Sequence, residues 1–291
     1  MDTPISQVFT PSGMQELFSA WNHFPDAVLY AGGTEHIRNQ GRRAPVLPRN
    51  IIFLDKLDEL RRVSRTERYL EIGAMVNLNQ IIQLGRIVPE VLIRCIENIA
   101  CPQVRNQATI GGNLCNSAMR LDCSAPMVAL DAQFELRTTQ GSRWIKAESF
   151  SSKPGPPDLG PQEILTRIRI PLEMWDFTRY RKFRNSGSNS PGENVLFMIK
   201  NEKDILTDIR VVYSGKAVLR NKDSETMLID KRLPLDPRDA AAFIEDWKNY
   251  LSDIAVNDKT QFTGDNDNTD ADLIKTQILA FIENTINYIS D

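Results

Sequence analysis

Only two places in this chain set glycines side by side: Ala31-Gly32-Gly33-Thr34 and Thr109-Ile110-Gly111-Gly112-Asn113. Each pair lies close to a threonine, and the two stand about eighty residues apart. Glycine has no Cβ, so such a turn reaches backbone conformations closed to other residues and lets another group approach the main chain. Consecutive N–H groups then line a concavity that favours an anion without formal positive charge. Neither stretch is a P-loop, since no lysine follows, and neither has G-x-G-x-x-G spacing. One Gly-Gly turn is weak evidence, because most merely relieve a tight bend. Two of them, in separate segments, can close on a diphosphate from opposite sides, with a dinucleotide lying between two subdomains.

Length supports that division. At 291 residues the chain exceeds one small core and suits about two domains. A net charge of -3 gives no basic footprint for nucleic acid. No apolar run approaches the ~18 residues of a bilayer span, and MDTPISQVFTP lacks the basic start and apolar stretch of a signal peptide. These features point to a soluble cytoplasmic protein with neither a nucleic-acid nor a membrane partner. The four cysteines, at 95, 101, 115 and 123, form no CxxC pair and read as free thiols. With only His23 and His36 as histidines, no metal site is expected.

Ser12-Gly13-Met14-Gln15 has the S-x-x-Q form of a capping box, and Met14, Leu17, Phe18 and Trp21 follow at helical spacing to about residue 22. Ala27 to Tyr30 reads as a buried strand running into the first glycine pair, and Ile51 to Leu54 as a second. Together they make a small α/β unit. Arg62-Val63 and Tyr69 to Ile72 suggest a hairpin, Asn77 caps a helix to Gly85, and Pro89 opens another to about Ala100. CPQVRNQATIGGNLCN is a loop by composition. Strands are expected at 133–138, 143–147 and 163–170, with PGPPDLGP (154–161) as a surface loop. After a boundary at Pro171 to Asp176, strands are expected at 179–184, 194–200 and 205–214, then helices at 224–230, 237–252 and 270–289. The acidic 263–270 stretch reads as a linker, because it lacks the twelfth-position glutamate of an EF-hand loop.

Ala31-Gly32-Gly33-Thr34-Glu35, then Gln103-Val104-Arg105-Asn106 leading to Thr109–Asn113, then Asp122, carry a resemblance to a known family. The chain resembles, over its whole length, the FAD-binding subunit of molybdenum hydroxylases. That family includes the middle subunit or domain of xanthine dehydrogenase and the flavoprotein subunit of carbon monoxide dehydrogenase. The resemblance implies an α+β architecture: a two-subdomain FAD-binding domain of the vanillyl-alcohol oxidase type, residues 1–175, divided into about 1–57 and 58–175. A C-terminal antiparallel sheet plus helix domain, 176–291, follows it.

It also implies roles at individual positions. Val28, Leu29, Tyr30, Ala31, Gly32, Gly33, Thr34 and Glu35 match the first diphosphate loop, and Thr109, Ile110, Gly111, Gly112 and Asn113 the second. Ile99 matches a residue packed near the flavin, and Asp122 one that hydrogen-bonds a sugar or ribityl hydroxyl. Leu165 matches an apolar cofactor contact, and Lys182 the lysine that reaches the FAD from the C-terminal domain. Arg105 is read from its own chemistry as a bond to loop carbonyls. The chain departs from the family at Met119-Arg120-Leu121, before the aspartate, and at Ser186, where an arginine usually stands four residues after the lysine.

A flavin carries its own redox chemistry, so no catalytic side chain is needed. The expected function is an FAD-dependent electron-transfer subunit. It would take electrons from 2Fe–2S clusters on a small partner, fed by a molybdopterin-binding large partner, and pass them to NAD+ or another acceptor. A stand-alone NADH-oxidising flavoprotein and a non-catalytic dinucleotide-binding assembly module are the alternatives. No histidine or cysteine stands in a recognisable flavin-linking context, so the expected attachment is non-covalent.

Overall fold

The computed structural model describes residues 6–40, 46–116, 121–151, 153, 156–183, 192–215, 217–257 and 268–290. Met119, Arg120, Ser186 and most of the 263–270 linker lie outside them.

The chain opens with β1 (Gln7–Phe9), α1 (Met14–His23), β2 (Val28–Tyr30), α2 (Thr34–Gln40) and β3 (Asn50–Phe53). The three strands form a parallel sheet in the order β1-β3-β2, with Val28 opposite Ile51 and Tyr30 opposite Phe53. Leu17 and Phe18 of α1 pack on Ile52 of the central strand. The first glycine pair therefore sits at the carboxyl end of a parallel strand, where it turns into a helix. That is the usual ligand crevice of α/β sheets. The expected Ser12/Gln15 capping box does not form. Gly13 occupies the N-cap position, and Glu16 reaches back to accept from the Ser12 amide and hydroxyl at 2.8 and 2.9 Å.

The middle of the chain runs through β4 (Val63–Arg65), β5 (Tyr69–Gly73), α3 (Leu78–Gln83), α4 (Glu90–Glu97), α5 (Pro102–Arg105), α6 (Ile110–Leu114) and α7 (Ser124–Ala129). It closes with β6 (Gln133–Thr138), β7 (Gly141–Lys146), α8 (Ala147–Ser151) and β8 (Ile164–Pro171). Its five strands make an antiparallel sheet in the order β4-β5-β8-β6-β7. Asn77 caps α3 with a full capping box, exchanging bonds with Gln80. The stretch from 101 to 116 is not the plain loop its composition suggests. Pro102 opens α5, and Thr109 caps α6 by accepting from the Gly112 amide at 3.0 Å. A cap and tertiary pairing thus offset the low helix propensity of two glycines.

The last part contains β9 (Phe177–Phe183), β10 (Glu193–Glu202), β11 (Ile205–Ser214), β12 (Val218–Arg220), α9 (Lys222–Leu228), α10 (Pro237–Asn257) and α11 (Asn268–Ser290). Its strands form an antiparallel sheet in the order β12-β11-β10-β9. Strand β10 is buried from Val195 to Ile199 because both faces are covered. Val195, Phe197 and Ile199 pack with Trp247, Phe281 and Ile282 of the long helices. The alternate residues Leu196 and Met198 belong to the core of the middle unit, whose helix α7 packs on this strand. Period-two alternation therefore divides one strand between two cores. On the same joint, the half-buried Trp175 is stacked by Lys200 and Arg210, while Arg210 donates to the Ala129 carbonyl at 2.6 Å.

Candidate cofactor cleft

The two glycine turns meet. A Cβ on Gly32 would lie 1.8 Å from the Gln107 carbonyl oxygen, so the first turn is pressed against the backbone just before the second. Gly33 has φ +69°, in the left-handed region, and a Cβ there would meet the Tyr30 ring at 2.1–2.6 Å. Gly111 backs onto Ala74, whose Cβ and carbonyl oxygen lie 2.7 Å from a Cβ at that position. Gly32 and Gly111 are thus required first by packing against backbone, and Gly33 by its left-handed φ. Only Gly112 has little protein beside it, the nearest atom being Thr109 Oγ1 at 2.9 Å.

The two turns present different chemistry. Among the described residues no protein acceptor is seen for the Gly32 and Gly33 amides, which remain available to a ligand. The second turn is different from the expected open nest. Its Ile110 amide donates to Val76 O, Gly111 to Ala74 O, Gly112 to Thr109 Oγ1 and Asn113 to Thr109 O, all between 2.8 and 3.0 Å. The bonds to residues 74–76 pin this turn to the end of β5, so what it offers is a rigid wall and a close approach at Gly112.

A cleft of about 860 Å³ lies between the turns. Of the expected cofactor residues, Val28, Leu29, Ala31, Gly32, Gly33, Thr34, Glu35, Ile99, Thr109, Gly112, Asn113, Asp122 and Lys182 line it. Tyr30, Ile110, Gly111 and Leu165 do not. The Tyr30 ring stacks on His36 with centroids 5.2 Å apart, Ile110 and Leu165 are in the core, and Gly111 is sealed against Ala74.

The floor is built from three elements. Asn113, at the end of the second turn, accepts from the Cys123 amide at 3.1 Å and so fixes the turn that carries Asp122. Strand alternation places Tyr180 and Lys182 on the same face of β9. Lys182 Nζ pairs with Asp122 Oδ1, and both side chains are less than a tenth exposed. Beneath them, the Cys95 thiol donates to the Asp122 carbonyl at 3.2 Å. Burial, with Cys123 and Asp122 close by, pushes the Cys95 thiol well up, and burial beside Cys95 and Asp122 pushes the Tyr180 phenol up. Both groups stay protonated at neutral pH.

The structure brings further residues to the walls. Trp21, which the helical spacing placed on the apolar face of α1, is half-buried here, and Gln162 donates to its carbonyl at 3.0 Å. Leu159, Gly160 and Glu163 come from the end of the proline-rich loop. Arg143 grips Glu163 with two bonds of 2.7 and 2.8 Å, and the Gly160 amide adds a third at 2.8 Å. The Arg143 guanidinium holds the Glu163 carboxyl below its ordinary value, against the opposite effect of burial. His36, Arg38 and Cys115 also line the cleft. Trp21, Leu159, Gly160 and Glu163 carry no motif and are placed here by long-range pairing, whereas His36, Arg38 and Cys115 follow the two glycine turns along the chain. Arg105 lies behind the wall, where its Nη1 donates to the carbonyls of Glu97, Ile99 and Ala100 at 2.8–3.2 Å.

Comparison with known proteins shows the family and the fold. Residues 4–173 match the family model described as the FAD binding domain in molybdopterin dehydrogenase. The xanthine dehydrogenase FAD-binding subunit of Escherichia coli O157:H7 is 34% identical over 156 residues, which cover 50% of this chain and 51% of that protein. The chain thus spans about half the length of the first curated relatives it matches. The carbon monoxide dehydrogenase medium chain of Hydrogenophaga pseudoflava is 26% identical over 222 residues, covering 75% of this chain and 77% of its own. Among solved structures, quinoline 2-oxidoreductase from Pseudomonas putida 86 superposes with a TM-score of 0.80 at 21% identity. That match covers 100% of this chain and 98% of the other, and shows the shared fold.

Proposed function

We propose, from the premise that this chain belongs to the family of FAD-binding domains in molybdopterin dehydrogenases, that it is the electron-transfer flavoprotein subunit of a molybdenum hydroxylase. FAD is its cofactor, and the chain is a subunit of the FAD-dependent oxidoreductase class. The observation that carries the reading is the cleft where the two glycine turns meet. Its volume lies within the range of about 300–1,000 Å³ usual for small-molecule sites. Two amides without protein acceptors among the described residues, at Gly32 and Gly33, suit a phosphate, and the wall at Gly112 lets one come close. These residues fit the cofactor.

In this reading the first turn donates its amides to the diphosphate, and Thr109, Gly112 and Asn113 bound it on the other side. Asp122, fixed by Lys182, accepts from a hydroxyl of the sugar or ribityl chain. Ile99 packs against the ring system. FAD, when bound, supplies the redox chemistry, while the chain binds and orients it. Electrons arrive from 2Fe–2S clusters on a small partner subunit, which receives them from a molybdopterin-binding large subunit. They leave to NAD+ or to another acceptor.

The test is purification of the chain alone and together with the chains encoded beside it. The isolated chain is expected to hold about one FAD and no stoichiometric iron, to oxidise no hydroxylase substrate, and to join an iron-sulfur chain and a molybdopterin chain. Substrate turnover by the isolated chain, or iron and acid-labile sulfide held by its own cysteines, would overturn the subunit reading.

A further inference from the structure

Among the described residues, the cleft wall carries three carboxylates, Glu35, Asp122 and Glu163, and two obligate cations, Arg38 and Lys182. All three carboxylates are paired: Glu35 with Arg38, Asp122 with Lys182, and Glu163 with Arg143 from outside the wall. A diphosphate entering this cleft adds negative charge to a wall whose cations already have anionic partners. The Gly32 and Gly33 amides can take part of that charge, and a cation that changes partner would supply the rest; among the described pairs, the three are not equally easy to open.

Lys182 and Asp122 are buried, with side-chain exposures of 8% and 5%. Removing Lys182 from Asp122 would strand a carboxylate in a poorly solvated floor, which is strongly unfavourable. Arg143 is held to Glu163 by two bonds and approaches that carboxylate from outside the cleft. The remaining pair, Arg38–Glu35, has side-chain exposures of 36% and 26%, with contacts of 2.5 and 2.9 Å between neighbours three residues apart on α2. Such a pair holds weakly, and Glu35 stays hydrated if the guanidinium turns away. The guanidinium is also the side chain whose planar fork matches two phosphate oxygens at once.

We infer that Arg38 is the counter-ion of the cofactor diphosphate, exchanging Glu35 for phosphate oxygens when FAD binds and thereby selecting the dinucleotide over uncharged flavins. The inference rests on the FAD reading of the cleft. It assigns a binding role to a residue outside both glycine motifs and makes cofactor affinity depend on one surface-accessible charge.

The experiment titrates flavin-free protein with FAD and with riboflavin, following flavin fluorescence at low and high salt. Wild type is expected to bind FAD more weakly as salt rises, because a charge contact is screened. Arg38→Gln should weaken FAD binding by about tenfold or more, as expected for loss of a charged hydrogen bond. It should flatten the salt dependence and leave riboflavin binding unchanged. Arg38→Lys, which keeps the charge, should lie between wild type and Arg38→Gln. Wild-type FAD affinity and salt dependence in Arg38→Gln would overturn the inference, as would an equal loss for riboflavin, which would mark a damaged cleft. Failure of wild type to bind FAD would remove the inference together with the cofactor reading, whereas failure of the first two kinds leaves that reading standing.

Discussion

Lys182 on β9 and Asp122 on the turn before α7 form a buried ion pair that ties the C-terminal sheet to the middle unit and closes the cleft floor. Neither side chain belongs to a glycine turn, yet the pair sets where the floor lies. The Asn113 bond to the Cys123 amide transmits that position to the second turn. The C-terminal sheet is therefore part of the site, through Lys182, and not only a neighbour of it.

Removing one partner of this pair is expected to cost more than removing both. Lys182→Met leaves the Asp122 carboxylate buried without its counter-charge, a loss of about 3–5 kcal/mol. The double variant Lys182→Met/Asp122→Asn removes both charges and should recover much of that stability. Chemical denaturation of the wild type, the two single variants and the double variant measures the coupling. Additive losses would show that the pair contributes nothing as a pair.

The two glycines of the second turn should separate stability from ligand binding. Gly111→Ala drives a Cβ into Ala74 and its carbonyl, and a clash of that kind costs about 1–3 kcal/mol. Gly112→Ala meets Thr109 Oγ1, the oxygen that caps α6, so it should cost about the 0.5–2 kcal/mol of a disturbed cap, with no clash against the neighbouring backbone, while losing flavin, because its Cβ projects from a residue that lines the cleft. Melting temperature and flavin content of the two purified variants decide the matter. The reverse pattern would mean that the close approach to ligand is made at Gly111.

Acid should loosen the rim at Glu163. Hydrogen bonds from Arg143 hold this carboxyl below its ordinary value of about 4.3. A depressed carboxylate stabilises the fold fully above the unfolded value, and that stabilisation fades as pH falls through the lower folded value. Wild type should therefore lose melting temperature between about pH 5 and 3 more steeply than Glu163→Gln, whose side chain does not titrate. Parallel curves for the two proteins would show that the Arg143 contact contributes nothing in solution.

The cofactor is expected to be held without a covalent bond, although the fold brings His36 and Cys115, both chemically able to link a flavin, to the wall of the cleft. His36 is stacked on Tyr30, and Cys115 ends the short helix of the second turn. Acid precipitation of the purified protein should leave the flavin in the supernatant. Flavin retained in the pellet, with a matching mass increase on a peptide holding His36 or Cys115, would reverse the expectation.

The local signals in the sequence were strong where a residue's role depends on its immediate neighbours. The two Gly-Gly turns, the Asn77 cap, the apolar face of α1 and the long C-terminal helices all follow from propensity and periodicity within a few residues. Family resemblance added Asp122 and Lys182, which no local rule links. Tertiary structure decided what each glycine is for. Gly32 and Gly111 are demanded by Gln107 and Ala74, residues whose approach depends on strand pairing and loop closure across the chain. It also decided that the second turn spends its amides on its own cap and on residues 74–76, leaving the first turn to supply the available donors. Trp21, Leu159 and Glu163 reached the wall in the same way, whereas Arg38 follows the first turn by one turn of α2. Sequence specifies backbone preference over short spans, whereas the partner that satisfies a hydrogen bond or a charge is set by which distant segments the hydrophobic cores bring together.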